Sequence, residues 1–293
     1  KLYDYDFSKF NSDWPPYKRE GNPEVSKHYR MLNAALTSMC DEHLGKVLDE
    51  MDRLDLWKDT MLIVNTDHGF LLGEHEWLGK CRAPFYNEIA HTPLFIWDPR
   101  HGISGERRRS LVQTIDLPAT LLDYFGLPLP EDMQGIPLGD TIASDKPVRA
   151  AALFGRHGGH VNCTDGRYVY MRGPVSSDNT PLFEYTLMPT HMKQIFSPEE
   201  LHGMEGLQGP FSFTKGCRTM KIKSLSVKKP ADCDPEDLKT RLFDLRKDPE
   251  QLSPLDDKAV EEVMIRRMVG LMKENDAPPE QFTRLGLESY AAE

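Results

Sequence analysis

The chain has 293 residues, of which 36 are basic and 46 acidic, and its formal net charge at pH 7 is -10. At roughly 150 residues per domain, this length predicts two domains. Hydrophobic residues make up 39% of the chain, and dispersed charged residues make up 28%, which excludes wholesale disorder. The acidic balance argues against binding nucleic acid or an anionic membrane surface, because both need a basic patch.

The cysteines and the apolar runs restrict the class of protein further. Five cysteines occur without a C-x-x-C pair, which favours reduced thiols over a zinc site or a disulfide scaffold. No apolar run approaches the roughly 18 residues of a membrane-spanning helix. The first residues lack the apolar segment of a signal peptide, which favours a cytoplasmic protein. The chain also starts at Lys1, which is typical of a piece of a longer protein whose missing part could carry an export signal.

The first half of the chain has the pattern of an α/β domain, predicted to span residues 1–145. Apolar residues recur at three- and four-residue steps over 24–56, which predicts one long amphipathic helix. Short apolar runs at 61–64 and 93–97 predict buried strands, and a further helix is predicted over 114–124. Helix, strand, long loop, strand and helix in this order predict a sheet wound in the parallel sense.

The second half, residues 146–293, has the pattern of a small α+β domain. Short strands and a terminal helix are predicted at 148–154, 167–171, 241–245 and 259–273. The stretch from 173 to 240 is rich in Pro, Gly and Ser, and long surface loops are predicted there.

One segment carries most of the chemical information. Residues 65–80 read NTDHGFLLGEHEWLGK and begin where a buried strand ends, which is where open α/β sheets bind their ligands. Asp67 and His68 are adjacent and offer a carboxylate and an imidazole, a reasonable half-shell for a divalent cation. Lys80 supplies a point charge suited to a tetrahedral oxyanion.

Each of these residues also has a purely structural interpretation. Asp-His-Gly after a strand is a common turn sequence, and a loop lysine is usually solvated. Glu74 and His75 could be further metal ligands, could pair with each other, or could cap a turn. These alternatives stay open from spacing alone.

The wider pattern resembles a known family. TDHG-x-x-x-GEH-x-x-x-x-K is preceded by LGKVLDEMDRLDLWKDTMLIV and followed by PFYNEIAHTPLFIWDP, VQTIDLPATLLDYFG and LFDLRKDPEQ. Together these segments resemble the carboxyl-terminal half of the sulfatase family within the alkaline-phosphatase superfamily, over most of the chain apart from the loops near 175–235. The resemblance implies part of an alkaline-phosphatase-like parallel sheet with flanking helices, followed by a small α+β domain.

The resemblance also implies a reaction. Asp67 and His68 would help to hold one divalent cation, calcium first and Mg²⁺ or Mn²⁺ as alternatives. Lys80 would contact the sulfate and its bridging oxygen. The nucleophile of such enzymes is a formylglycine made from a C/S-x-P-x-R motif, and it hydrolyses a sulfate ester of a small molecule or a glycan. This chain contains no such motif, so it is expected to be inactive alone and to need an amino-terminal half of the same enzyme.

Two other functions are compatible with the same residues. A phosphonate monoester or phosphodiester hydrolase would use the same kind of site, and a non-catalytic binding module could keep the scaffold without the chemistry. The substrate pocket of the family is built from variable loops, which makes Arg156, His157 and His160 candidate substrate contacts. They could equally be surface loop residues.

Overall fold

The structure is a computed structural model that describes residues 18–19, 21–80, 84–191, 194–224 and 235–292. It has a mixed α/β fold. The helices are α1 Pro23–Arg53, α2 Asn87–Ala90, α3 Asp116–Tyr124, α4 Gly139–Ser144, α5 Pro198–His202, α6 Lys258–Glu274, α7 Pro279–Leu285 and α8 Glu288–Ala292. The strands are β1 Lys18–Arg19, β2 Leu62–Asn65, β3 Leu71–Leu72, β4 Trp77–Gly79, β5 Leu94–Trp97, β6 Ala152–Gly155, β7 Val161–Thr164, β8 Tyr168–Arg172, β9 Phe183–Thr186, β10 Met204–Gln208, β11 Thr219–Lys223 and β12 Arg241–Asp244.

Helix α1 is the longest element, and it confirms the helix predicted over 24–56 to within three residues at each end. It begins where the Asn22 side chain accepts a hydrogen bond from the Glu24 amide at 3.0 Å, with Pro23 in the first turn. Much of its apolar stripe is open to solvent, since the exposed large side chains include Leu36 and Met39.

Strands β2 and β5 confirm the two strands predicted in the first half, but their direction differs from the prediction. They pair antiparallel, with Leu62 opposite Trp97 and Asn65 opposite Leu94. The parallel prediction for this pair is therefore wrong. A parallel pair needs a crossover, usually a helix, that returns the chain to the same end of the sheet. The described part of this connection instead holds the antiparallel hairpin of β3 and β4 and the four-residue helix α2.

The carboxyl-terminal region contains an antiparallel sheet of four strands, in the order β12-β8-β7-β6. Its core packs against helix α6, and the buried side chains include Tyr170, Leu242, Met264 and Met268. The strands predicted at 167–171 and 241–245 and the helix predicted at 259–273 are confirmed to within one residue at each end. The predicted strand at 148–154 begins later, at Ala152.

The stretch from 173 to 240 is not a set of long loops, and that prediction is wrong for the residues that the structure describes there. Strands β9, β10 and β11 form an antiparallel sheet in the order β10-β11-β9. Helix α5 begins with a capping box between Ser197 and Glu200. Each element is only four or five residues long, so that neither a helical nor a strand period could repeat often enough to be recognised in the sequence.

The chain divides into two compact units. One contains the described residues up to Arg109 together with Ile142–Asp145, and the other contains Ser110–Thr141 and the described residues from Lys146 onwards. The domain limits of 1–145 and 146–293 stay a prediction, because compactness alone does not test independent folding.

Two further observations concern thiols and membrane segments. Cys40, Cys163 and Cys217 are free thiols, and Cys81 and Cys233 lie outside the described residues. Within the described parts of the chain, no helix combines the length and the apolar character needed to cross a bilayer.

Candidate active site

A short hairpin brings the predicted site residues together. Asp67 and His68 follow the end of β2, and the chain then forms β3, turns, and returns as β4. Strands β3 and β4 pair antiparallel, with Leu71 opposite Gly79. Because the hairpin closes on itself, Lys80 arrives beside His68, twelve residues earlier in the chain.

The three side chains are in direct contact. The Lys80 ammonium contacts Nε2 of His68, and the same Nε2 lies 3.2 Å from Oδ2 of Asp67. The other ring nitrogen, Nδ1, lies 3.0 Å from the carbonyl oxygen of Gly69. A carbonyl can only accept, so Nδ1 carries the proton in a neutral ring and Nε2 is left as the acceptor of the Lys80 N–H. His68 therefore presents the lone pair that a metal ligand needs.

Asp67 is placed to act as an anion. Its side chain is 82% exposed, and its Oδ1 accepts the His68 backbone N–H at 3.0 Å. Desolvation would raise the pKa of Asp67, but His68, backbone hydrogen bonds and the Lys80 charge together hold that pKa below its usual range. The carboxylate is thus ionised at neutral pH and open to solvent.

The backbone beneath this pair is fixed by close packing at Gly69. The Gly69 amide donates to the Ile89 carbonyl at 2.8 Å, and the Phe70 amide donates to the Glu88 carbonyl at 3.0 Å. A Cβ at position 69 would lie 1.8 Å from the Glu88 carbonyl oxygen. Only glycine fits this position without displacing helix α2.

Glu74 has a structural role in the hairpin. Its Oε2 accepts the Leu72 amide at 2.5 Å, and its Oε1 lies 3.3 Å from an Arg30 guanidinium nitrogen on α1. Arg30 also donates to the Leu72 carbonyl at 2.9 Å. Of the alternatives left open by the sequence, capping of the turn agrees best with these contacts.

His75 pairs with a carboxylate that the sequence did not indicate. Its ring stacks on Tyr86 with centroids 3.6 Å apart and planes 7° apart. Its Nε2 lies 3.6 Å from Oε2 of Glu88. These contacts bury the imidazole, whose side chain is only 8% exposed.

The donor types of Asp67 and His68 fit a divalent cation, but their number is small. Calcium takes 6 to 8 oxygen ligands in a well-formed site. Among the residues that the structure describes, no group of three His, Cys, Asp or Glu side chains gathers to hold a metal ion. The ligation of a cation by Asp67 and His68 therefore stays a prediction, supported by their shared position.

The second unit contains an open cleft of about 430 Å³ that includes His157. Glu184, Tyr185 and Phe196 also line it. The Ser224 hydroxyl donates to Glu184 Oε1 at 3.0 Å and lies 3.2 Å from Nε2 of His157. A hydroxyl has one proton, so His157 Nε2 is the donor to Ser224 and Nδ1 is the acceptor of a neutral ring. Burial lowers the pKa of His157, which favours that neutral ring.

The other two predicted substrate contacts, His160 and Arg156, make hydrogen bonds within the protein. His160 is 4% exposed, and its Nε2 donates to the Lys239 carbonyl at 3.0 Å. Burial lowers the pKa of His160 to about 4. The Arg156 carbonyl accepts the Gly159 amide at 3.1 Å and so closes the turn before His160. The structure thus gives both residues local partners, and substrate contact stays a prediction for them.

Arg284 is a residue of this region that sequence reasoning missed. It is 2% exposed, and it donates to the Gly159 carbonyl at 3.2 Å and to Asn179 Oδ1 at 2.8 Å. Burial lowers the pKa of its guanidinium to about 10. The available signal was its position in α7 between the apolar residues Phe282 and Leu285, where an arginine must either reach solvent or find buried acceptors.

Comparison with known proteins gives a family match over part of the chain. The model of the family described as Sulfatase matches residues 7–127, a segment that contains the Asp67–Lys80 hairpin. Over this segment the chain is similar to the sulfatase family. An N-acetylglucosamine-6-O-sulfatase of Bacteroides thetaiotaomicron is 24% identical over 218 residues, which is 69% of this chain and 36% of the relative. Human arylsulfatase K is 34% identical over 113 residues, 38% of this chain and 20% of the relative.

Comparison with solved structures concerns the fold. The structure of BT4656, solved in complex with its substrate D-glucosamine-2-N,6-O-disulfate, matches with a TM-score of 0.58 at 17% identity. The match covers 86% of this chain and 42% of that protein. The mixed α/β fold and the sulfatase resemblance predicted from the sequence are both confirmed, and the chain spans well under half the length of these proteins.

Proposed function

We propose that this chain is part of a sulfatase that hydrolyses a sulfate monoester. In this proposal the chain supplies Lys80, the cationic side chain that binds the anion, and part of the metal site. The convergence of Asp67, His68 and Lys80 supports this most directly. An ammonium on one side, and a divalent cation that the carboxylate and the imidazole lone pair would hold on the other, can together neutralise a tetrahedral anion.

Asp67 and His68 would hold one divalent cation, with calcium first and Mg²⁺ or Mn²⁺ as alternatives. Such a cation would neutralise charge on the bound sulfate. The His68 lone pair is shared with Lys80 in this structure, so it becomes available only when the ammonium donates elsewhere. A sulfate oxygen is such an acceptor. A bound sulfate would give the Lys80 ammonium a new acceptor and so free the His68 lone pair for the cation. The binding of the substrate and the binding of the cation would therefore be cooperative.

Lys80 would act at the bridging oxygen. Breaking the sulfur–oxygen bond develops negative charge on that oxygen, and an ammonium within hydrogen-bonding distance stabilises the charge more in the transition state than in the ground state. The attacking group would be a formylglycine on a C/S-x-P-x-R motif, which this chain does not contain.

An amino-terminal half of the same enzyme would supply that nucleophile. The exposed apolar side chains of the first unit support a further packed layer, since Leu36, Met39 and Val47 on α1 and Phe95 on β5 are 48–67% exposed. Apolar surface of this extent normally packs against another part of a protein.

The substrate that we propose is a sulfated glycan. The cleft around His157 combines aromatic rings, a carboxylate and hydroxyl groups, which is the chemistry that binds the faces and hydroxyls of a sugar. Within this proposal His157 contacts the sugar, and Arg156 and His160 shape the turn that carries it.

The test is an assay of the complete enzyme on an aryl sulfate and on an aryl phosphodiester, with Asp67→Asn and the control Asp55→Asn. Asp55 is an exposed carboxylate paired with Lys58 at 2.8 Å. We expect preferential hydrolysis of the sulfate, lost in Asp67→Asn and retained in the control. Preference for the phosphodiester would support the related hydrolase instead, and no hydrolysis of either would support a binding module.

A further inference from the structure

His75 and Glu88 form a partly buried pair next to the proposed site. Nε2 of His75 and Oε2 of Glu88 are both buried, and neither atom has a hydrogen-bond partner among the described residues. They lie 3.6 Å apart. The His75 side chain is 8% exposed and the Glu88 side chain 27% exposed, and polar atoms that give up water without a close bond in return are costly for stability. Such a cost calls for an explanation other than stability.

The backbone conformation at His75 is also energetically unfavourable. His75 has φ 51° and Glu76 has φ 61°, so two consecutive residues other than glycine lie in the left-handed region. Residues other than glycine keep this conformation only when the surrounding structure holds them in it. Here the stacked Tyr86 ring, 3.6 Å from the imidazole between centroids, holds the His75 side chain in place.

Glu88 connects two ends of the same hairpin. Its side chain meets His75 in the turn between β3 and β4, while its backbone carbonyl accepts the Phe70 amide at 3.0 Å, two residues after His68. The neighbouring Ile89 carbonyl accepts the Gly69 amide. One residue of α2 thus touches both the turn and the segment that carries the proposed metal ligand.

The Glu88 carboxylate is stabilised in its charged form. Desolvation would raise the pKa of Glu88, but the neighbouring His75 side chain and the Glu88 backbone outweigh it and lower that pKa. The carboxylate is therefore ionised, and it draws the turn of the hairpin towards α2.

From these contacts we infer that His75 and Glu88 are positioning residues, which fix the hairpin so that Lys80 and His68 meet. The inference rests on the proposed sulfatase function, because it assigns the pair a role in that site. Neither residue is expected to touch the substrate. Removing the attraction should loosen the turn and let Lys80 drift from His68, and a displacement of the order of 1 Å can lower a rate by up to about 10²-fold.

The test uses the complete enzyme and the substitutions Glu88→Gln and His75→Gln. Glu88→Gln keeps the size of the side chain and its backbone bond while removing the charge. Glu200→Gln is a matched control, since it removes the carboxylate partner of His191, 2.6 Å away in the second unit. Two quantities are measured: the ring signal of His68 in enzyme with ¹³C-labelled histidine, identified by its loss in His68→Gln, and the steady-state constants on an aryl sulfate.

We expect the His68 signal to move in both variants and kcat to fall about 10-fold or more, with KM within about twofold of the parent enzyme. The control should change neither quantity. An unmoved His68 signal in both variants would overturn the inference, as would a change confined to KM. If one variant does not fold, the other decides by the same criteria.

The outcomes separate this inference from the proposed function. A parent enzyme that hydrolyses no sulfate ester contradicts the proposed function, yet the His68 signal still shows whether the pair positions the hairpin. An active parent enzyme with an unmoved signal leaves the proposed function standing and removes the role of the pair.

Discussion

The two units use their charged side chains in opposite ways. In the Asp67–Lys80 hairpin the charged groups contact one another, and Asp67 is 82% exposed. In the turn around Gly159 the cationic Arg284 is 2% exposed, and its guanidinium donates to a backbone carbonyl and a side-chain amide. A cation whose donors are bonded to buried acceptors holds structure, whereas exposed charges that contact each other can exchange partners with a ligand. This difference distinguishes the charged residues of the candidate site from the charged residues that hold the fold.

The largest expected effect concerns Lys80, one of the charged residues that can exchange partners with a ligand. Lys80→Ala in the complete enzyme should lower kcat by about 10² to 10³-fold, because one preorganised donor to the developing oxyanion is lost. The loss should be smaller on nitrophenyl sulfate than on an alkyl sulfate, since a better leaving group needs less help. Steady-state kinetics on both substrates is the measurement.

The control for that substitution is Lys58→Ala, an exposed lysine paired with Asp55. It should leave kcat unchanged. Equal losses on both substrates in Lys80→Ala would mean that Lys80 binds the anion without assisting departure of the alcohol.

The next largest effect tests the scaffold cation. Arg284→Met should lower the free energy of unfolding by about 3 kcal/mol, because the Gly159 carbonyl and Asn179 Oδ1 lose a donor in a buried place. Urea unfolding measures this change. Arg266→Met is the matched control, since Arg266 is 56% exposed and pairs with Glu262, and it should cost less than about 1 kcal/mol. Equal costs would refute the distinction between the two kinds of cation.

A smaller effect concerns the pH dependence of stability. The pKa of His160 is about 4 in the folded protein, against about 6.5 in an unfolded chain. The unfolded state therefore binds the proton first, so that stability is complete above pH 6.5 and falls as the pH drops towards 4. Between pH 7.5 and pH 5 the loss from this residue should be about 2 kcal/mol.

His160→Gln isolates that contribution, because a glutamine amide can also donate to the Lys239 carbonyl and does not titrate. Urea unfolding at the two pH values should show a loss that is about 2 kcal/mol smaller in His160→Gln than in the parent chain. The exposed residue His202 provides the control substitution His202→Gln. A variant with the same pH dependence as the parent would show that His160 is not buried in its neutral form.

The smallest effect tests how complete the metal site is within this chain. Two ligand side chains leave most of a calcium shell to water, so the isolated chain should bind Ca²⁺ with a Kd weaker than about 1 mM. Calcium at 1 mM should then stabilise it by less than about 0.4 kcal/mol. Calorimetry and thermal unfolding measure both quantities, with Asp67→Asn as the reference. Tight, stoichiometric binding would contradict the idea that other ligands are needed.

The sequence was most informative where a pattern repeats or where residues are close along the chain. The period of α1 extends over 31 residues, so its ends could be predicted closely. Asp67 and His68 are adjacent, and their shared position needed no long-range information. The sequence could not predict the antiparallel direction of β2 and β5, because the direction depends on how the intervening hairpin folds.

Other parts of the site depend on contacts that no local pattern records. Glu88 meets His75 thirteen residues away, through a turn whose left-handed backbone at His75 and Glu76 is unusual for these residue types. Arg284 reaches a carbonyl 125 residues earlier in the chain. Neither partner could be chosen from spacing alone, because many carboxylates and carbonyls lie at comparable separations.

The hairpin has a consequence for the order in which the molecule assembles. His68 and Lys80 are separated by only twelve residues, and closing a loop of that length takes about 10 to 100 ns, with a hairpin following in about 1 to 10 μs. The contact between Arg284 and Gly159 spans 125 residues and must wait until a much longer segment has been ordered. The charged cluster can therefore form during synthesis long before the turn around Gly159 is locked, and a ribosome-bound chain would carry the charges of the proposed site before its scaffold is complete.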